Sequence, residues 1–319
     1  EVKVTVTDNN GQLYAESEMK KMHDVDGKEI ENPIEVEDNV AVIENEFNAN
    51  SVSEGPLALK KYTDYTGSNP LKDGMFSFKM KALTENAPLP NDMHPDDDGY
   101  VYVMNVGTSI GFGKMTFTAK HANQVFEYEI SEVIPENPIN GMNYDDAVYR
   151  VKMNVSVEEI HDVPTVVVKT IYCNAAGEPL SSDKLINDRL VFENSYKADS
   201  VILSGETAIK GIKTLNGRDM QDNESFEFEL SAANANTQKA INDKSVIIPE
   251  NNATVSGVKN NQQAEFSFEN IEFSKIGTYE FNIKETDIPD EDGNGMTYDR
   301  GTDIVKVIVK DNNGHLEAE

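Results

Sequence analysis

Apolar and polar residues alternate along much of the chain. Phe226-Glu227-Phe228-Glu229-Leu230 has a period of two, as do Tyr279-Glu280-Phe281-Asn282-Ile283 and Phe126-Glu127-Tyr128-Glu129-Ile130. Alternation with one apolar face is the pattern of a half-buried antiparallel strand. Val166-Val167-Val168 and Val246-Ile247-Ile248 are shorter β-branched runs. Asp8-Asn9-Asn10-Gly11 and Asp311-Asn312-Asn313-Gly314 punctuate the pattern, and Asn-Gly is a hairpin signal. Helical periodicity predicts only a short helix over Asn234 to Asp243. Many strands at short spacing, joined by polar turns, predict an all-β chain of β-sandwich domains.

The pattern repeats. Gly141-Met142-Asn143-Tyr144-Asp145 recurs as Gly295-Met296-Thr297-Tyr298-Asp299, and Phe76-Ser77-Phe78 recurs as Phe226-Glu227-Phe228. Val42-Ile43-Glu44-Asn45-Glu46-Phe47 recurs as Val191-Phe192-Glu193-Asn194-Ser195-Tyr196. The near-constant offset implies one domain of about 150 residues repeated in tandem. Residues 50–198 hold one complete unit. Residues 1–49 resemble only the C-terminal part of a unit, and residues 199–319 only the N-terminal part, without its last strand. Val2-Lys3-Val4-Thr5-Val6 already reads as a strand, so a start cut within a unit is expected.

Charge narrows the function classes. There are 57 acidic and 28 basic residues, for a net charge of -29. Nucleic-acid binding requires clustered Lys and Arg, so no nucleic-acid partner is expected. No apolar run approaches the roughly 20 residues of a spanning helix, so no membrane insertion is expected. The single cysteine, Cys173, rules out an intrachain disulfide and reads as a small, partly buried residue. With no disulfide available, another covalent staple is worth looking for.

Three polar residues recur at matched places. A lysine follows the first strand of the repeat, as Lys60 and as Lys213. A glutamate ends a central strand, as Glu132 and as Glu285, 72 residues later in both cases. An asparagine sits in a late strand, as Asn194 and Asn45. Taken singly, Lys and Glu on strands are ordinarily solvent-facing. Lys60 and Lys61 point to opposite strand faces. Lys60 is chosen because Lys-x-apolar matches Lys213-Thr214-Leu215, with Lys61 as the alternative.

These residues resemble the streptococcal T-antigen (FctA-type) backbone pilin domain. The resemblance rests on the lysine, the Gly-x-x-Tyr-Asp turn and the terminal Phe-x-Asn-x-Tyr, and it covers nearly the whole chain. It implies tandem immunoglobulin-like sandwiches related to the collagen-adhesin B-type repeats, held by intramolecular isopeptide bonds. It also implies that Lys60 joins Asn194 with Glu132 as assisting acid. Lys213 and Glu285 would be two thirds of a second set, and Asn45 the acceptor of a preceding or exchanged domain. The implied function is a structural subunit of an extracellular, cell-wall-attached Gram-positive pilus or fibre. Its partners would be further copies, other pilus subunits, sortase and a host surface ligand. The alternative is the stalk or ligand-binding repeat region of an anchored adhesin. No cofactor, no metal and no external-substrate enzyme activity are expected.

The chemistry is physically coherent. Burial disfavours an ammonium and a carboxylate alike, so it makes the lysine nucleophilic and keeps the glutamate protonated. That acid can hydrogen-bond the Asn carbonyl and carry a proton to the leaving ammonia. Fixed geometry supplies the high effective concentration that a single slow turnover requires. Asp96-Asp97-Asp98-Gly99 and Asp290-Glu291-Asp292-Gly293 do not fit a calcium loop and read as solvated turns. With no tryptophan to stack on sugar rings, the paired carboxylates give little support to a glycosidase. The missing partner of Glu285 would follow 62 residues later if the array continues, which this reading favours. Two chains joined end to end, Lys213 of one to Asn45 of the next, are the alternative.

Overall fold

A computed structural model of the chain describes residues 1–24, 27–35, 47–289, 293 and 295–319. Asn45 and Asp290 to Asp292 therefore lie outside the described residues. The N-terminal part forms β1 (Val2–Asn9), β2 (Gln12–His23) and β3 (Glu29–Glu35), an antiparallel sheet in the order β1-β2-β3. Asn10 and Gly11 both take positive φ, 57° and 87°, as a two-residue hairpin turn requires. The apolar stripe of β1, Val2, Val4 and Val6, is exposed.

The first sandwich begins with β4 (Val52–Glu54), β5 (Leu57–Asp64), β6 (Ser77–Ala82) and β7 (Tyr100–Met104). It continues with β8 (Ser109–Gly111), β9 (Met115–Phe117), β10 (Val125–Val133) and β11 (Met142–Asn143). It closes with β12 (Val148–Ile160), β13 (Val163–Cys173) and β14 (Leu190–Tyr196). One sheet has the order β13-β12-β10-β6-β7, and the facing sheet β11-β14-β5-β8. Inward residues of both sheets, such as Phe78, Met80, Tyr128, Val151, Met153 and Phe192, fill the space between them. The first and last main strands, β5 and β14, lie side by side and parallel, with Lys60 opposite Phe192.

The second part holds β15 (Val201–Leu203), β16 (Ile209–Thr214) and β17 (Phe226–Ala232), then helix α1 (Ala235–Asn242). The predicted short helix is thus present, capped by the Asn234 side chain on the Thr237 amide. There follow β18 (Val246–Ile247), β19 (Asn252–Val255), β20 (Gln263–Phe268) and β21 (Ile271–Phe273). The last strands are β22 (Gly277–Thr286), β23 (Asp303–Asn312) and β24 (His315–Ala318). The main sheet, β19-β17-β22-β23-β24, mirrors that of the first sandwich, and it packs on a core of its own that includes Phe228, Phe268, Phe273, Phe281 and Val307. The facing layer differs. Strand β16 pairs only with β20 among the described residues, where its counterpart β5 pairs with both β8 and β14. Val305, Val307 and Val309 on β23 match Val2, Val4 and Val6 in sequence. Val307 and Val309 are buried, whereas the β1 stripe is bare.

The two sandwiches meet through β14. The Tyr196 hydroxyl donates to Asp311 at 2.6 Å, and the Ile276 amide donates to the Thr66 carbonyl at 3.1 Å.

Candidate functional site

Period-two alternation places the candidate residues. On β5, Ala58 and Lys60 face inward and Lys61 faces out. On β10 the inward series is Phe126, Tyr128, Ile130 and then Glu132. On β14 it is Phe192, Asn194 and Tyr196. Three polar side chains therefore occupy positions that the strand pattern gives to core residues. Lys60 is 2 % exposed, Asn194 4 % and Glu132 5 %, so each must find its partners inside.

They find one another. Lys60 Nζ lies 3.0 Å from Glu132 Oε2 and also donates to Asn194 Oδ1. Asn194 Nδ2 donates to Glu132 Oε1 at 2.6 Å. Each oxygen of the one carboxyl group thus touches a different partner. Aromatic rings close the site: the Lys60 nitrogen sits 4.4 Å from the centre of Phe76 and 5.5 Å from that of Phe78, and Phe78 packs on Phe192 at 4.9 Å. Lys61, in contrast, forms an exposed ion pair with Glu193 at 2.9 Å.

Burial dominates the electrostatics. It lowers the Lys60 pKa from its ordinary value of 10.5, although the neighbouring Glu132 pulls the other way. It raises the Glu132 pKa from 4.5 against the opposing effect of Asn194 and Lys60. Both shifts favour a neutral amine beside a neutral acid.

The structure adds a residue that the sequence reasoning did not assign. The Asp145 amide donates to Asn194 Oδ1 at 3.2 Å, while the Asp145 carboxylate accepts from the Glu193 amide at 2.7 Å and the Ala147 amide at 3.0 Å. Its signal was the recurring Gly-x-x-Tyr-Asp turn, which ends at Asp145. The expected contact of Glu132 with the Asn carbonyl also differs in detail. Glu132 faces the amide nitrogen, and the carbonyl oxygen is held by Lys60 and the Asp145 amide. The turn that holds Asp145 follows β11, which pairs with β14 and sets Asn143 opposite Ser195, and this brings the Asp145 amide to the carboxamide oxygen.

The second sandwich repeats part of this arrangement. Lys213 Nζ lies 2.6 Å from Glu285 Oε2 and 4.0 Å from the centre of the Phe226 ring. Glu285 is 5 % exposed, and its Oε1 has no hydrogen-bond partner among the described residues. Among the described residues, the remaining sequence candidates do not join a site. Asp96 accepts from the amides of its own turn, Asp98 and Tyr100, and from the Tyr102 hydroxyl. Cys173 is buried, and burial raises its thiol pKa.

A family model described as the Spy0128-like isopeptide containing domain, FctA, matches residues 57–197 and again 209–319. The chain belongs to this family. It is a structural protein of the pilin kind, and the two matched stretches coincide with the two sandwiches. No curated relative matches the sequence. Among solved structures, the major pilin from Streptococcus pyogenes is 14% identical and aligns over 76% of this chain and 83% of that chain, with a TM-score of 0.34. The major pilin T3.2 from the same organism is 14% identical over 85% of this chain and 98% of that chain, with a TM-score of 0.33. The T-13 pilin is 15% identical over 84% and 94%, with a TM-score of 0.30.

Proposed function

We propose that the chain is a load-bearing stretch of an extracellular Gram-positive surface fibre, stapled by an amide bond that Lys60 and Asn194 form by themselves. The observation that carries this reading is the buried triad: one carboxyl group touches both the nucleophile and the leaving nitrogen. The neutral Lys60 amine attacks the Asn194 side-chain carbonyl carbon. Charge developing on Oδ1 falls on the Asp145 amide, in the manner of an oxyanion hole. Glu132 takes the amine proton through Oε2 and returns one to Nδ2 through Oε1. A C–N bond forms, the original C–N bond breaks, and ammonia leaves. The product has no charge left to bury. Because β5 and β14 are neighbours, force applied along the chain would load the amide bond before the strands could peel apart.

The same reading divides the chain into the end of one domain over 1–49, a complete domain over 50–198 and a domain without its last strand over 199–319. Cell-wall attachment by sortase, contact with other pilus subunits and a host surface ligand belong to the proposal through family membership alone. The test is the intact mass of the denatured chain. A deficit of one ammonia, restored in Glu132→Ala, supports the bond. The full unmodified mass in the parent chain removes it.

A further inference from the structure

Five Asn-Gly pairs stand in the sequence, and four of them lie among the described residues: Asn10-Gly11, Asn140-Gly141, Asn216-Gly217 and Asn313-Gly314. In such a pair the glycine amide can attack the asparagine carboxamide, because no side chain shields it. Most of these turns hold that amide in place. Gly11 donates to Asp8 Oδ1 at 2.8 Å, Gly314 to Asp311 Oδ1 at 2.9 Å and Gly217 to Asn260 Oδ1 at 2.8 Å. The Gly141 amide donates to no group among the described residues. Asn10, Asn140 and Asn216 are all exposed, so exposure does not separate them. The fold requires glycine at 141: its φ is 79°, and a Cβ there would come within 2.7 Å of the Lys197 carbonyl oxygen. The Lys197 amide donates to the Gly141 carbonyl at 2.8 Å, which ties the pair to the end of β14. Asn140 itself meets the second sandwich. Its Nδ2 donates to the Asn313 carbonyl at 3.3 Å, and a Cβ on Gly314 would sit 2.6 Å from Asn140 Cβ.

We propose that Asn140-Gly141 is a self-modification site at the joint between the two sandwiches, where the Asn140 carboxamide turns into aspartate or isoaspartate and the joint loosens as the chain ages. The Gly141 amide loses its proton to hydroxide, and its nitrogen attacks Asn140 Cγ. The N–Cγ bond forms and the Cγ–Nδ2 bond breaks. The departing nitrogen takes a proton from water and leaves as ammonia. Water then opens the cyclic imide at either carbonyl, giving aspartate or isoaspartate. In sum a water enters and an ammonia leaves, with no oxidant or metal. At the other three turns a hydrogen bond must break before the amide can react. At Gly11 and Gly314 a carboxylate also opposes the negative charge forming on the nitrogen. These effects slow those turns by about tenfold or more. Either product alters the joint. Aspartate has no N–H for the Asn313 carbonyl and sets a negative oxygen against it. Isoaspartate adds a backbone carbon where Gly314 leaves no room. Neither step uses Lys60, Glu132 or Asn194, so the inference stands apart from the proposed bond.

The experiment is to hold the full chain at mildly alkaline pH, once folded and once in urea, and to follow aspartate and isoaspartate at each pair by fragment mass and isoaspartate-specific labelling. The expected result in the folded chain is conversion at Asn140 about tenfold or more faster than at Asn10, Asn216 and Asn313, with the rates drawing together in urea. Equal folded rates, or a faster rate at any of the other three, overturn the site. The same ratio persisting in urea overturns its origin in the held amides. Asn140→Asp carries the product from the start and reads the joint. The Ile276 amide, bonded across the junction to the Thr66 carbonyl, should exchange about two- to tenfold faster than in the parent chain, while amides of β10 keep their protection. An unchanged Ile276 amide overturns the loosening.

Discussion

Lys60 and Lys61 are adjacent in sequence and meet opposite environments. One nitrogen is sealed between Phe76 and Phe78 with Glu132 at 3.0 Å; the other sits in solvent against Glu193 at 2.9 Å. The exposed pair is worth little, because water screens it. The buried pair would govern the proposed chemistry, because neither side chain reaches water. Lys61→Ala should therefore leave the intact mass and thermal midpoint almost unchanged, within about 0.5 kcal/mol. Lys60→Ala should restore the missing ammonia. An unchanged deficit in Lys60→Ala would reassign the nucleophile.

The proposed bond closes a loop between residues 134 apart. Chain-entropy reasoning for a cross-link over about 100 residues or more gives about 5 kcal/mol. For a domain of this size that is about 10–20 °C in midpoint. Asn194→Ala should show a drop of that order in calorimetry, confined to the first of the two transitions if the sandwiches unfold separately.

A variant that cannot close exposes the titration of Glu132. In Lys60→Met the carboxyl stays buried and loses the lysine that had opposed its upward shift. The folded state then binds a proton more tightly than the unfolded state, whose ordinary value is 4.5. Stability is present in full below pH 4.5 and is lost as pH rises toward the folded value. Urea midpoints should fall as pH rises above 4.5 in Lys60→Met and stay flatter in Lys60→Met with Glu132→Gln. Equal slopes would show that Glu132 is not the titrating group.

In the proposed reaction Asp145 would act through position. Its carboxylate ties the turn to the Glu193 and Ala147 amides and so aims its own amide at Asn194 Oδ1. Loss of an oxyanion donor costs about 10²–10³ in rate, and a misplaced one less. Asp145→Ala should slow closure by about tenfold, seen as unclosed chain in a pulse-labelled mass series that later matures. A structural defect alone would instead leave a fixed unclosed fraction.

At the junction, Asp311 accepts from the hydroxyls of Ser68 and Tyr196. Burial, and after it the Asp311 carboxylate, push the Tyr196 hydroxyl up to about 12. Asp311→Ala leaves both donors unpaired, at about 1–2 kcal/mol. The Ile276 amide, bonded across the junction to Thr66, should then exchange about tenfold faster while core amides of β10 keep their protection.

Much of this was legible in the sequence because strands have a period of two. Once Phe126, Tyr128 and Ile130 mark the inward face, Glu132 must share it, and the same count sends Lys60 and Asn194 inward. The repeat then showed that these exceptions recur, which single residues could not. Local turn chemistry was equally readable: Asn-Gly at 10–11 and 313–314 takes positive φ in both hairpins. The sequence could not decide how separate strands face one another. That β5 lies parallel to β14, and that Glu132 turns toward the amide nitrogen while Asp145 takes the oxygen, depends on contacts 48 to 134 residues apart. Periodicity fixes which side of a strand a residue occupies; only packing fixes what waits on that side. For Glu285 it left one oxygen buried and without a partner among the described residues.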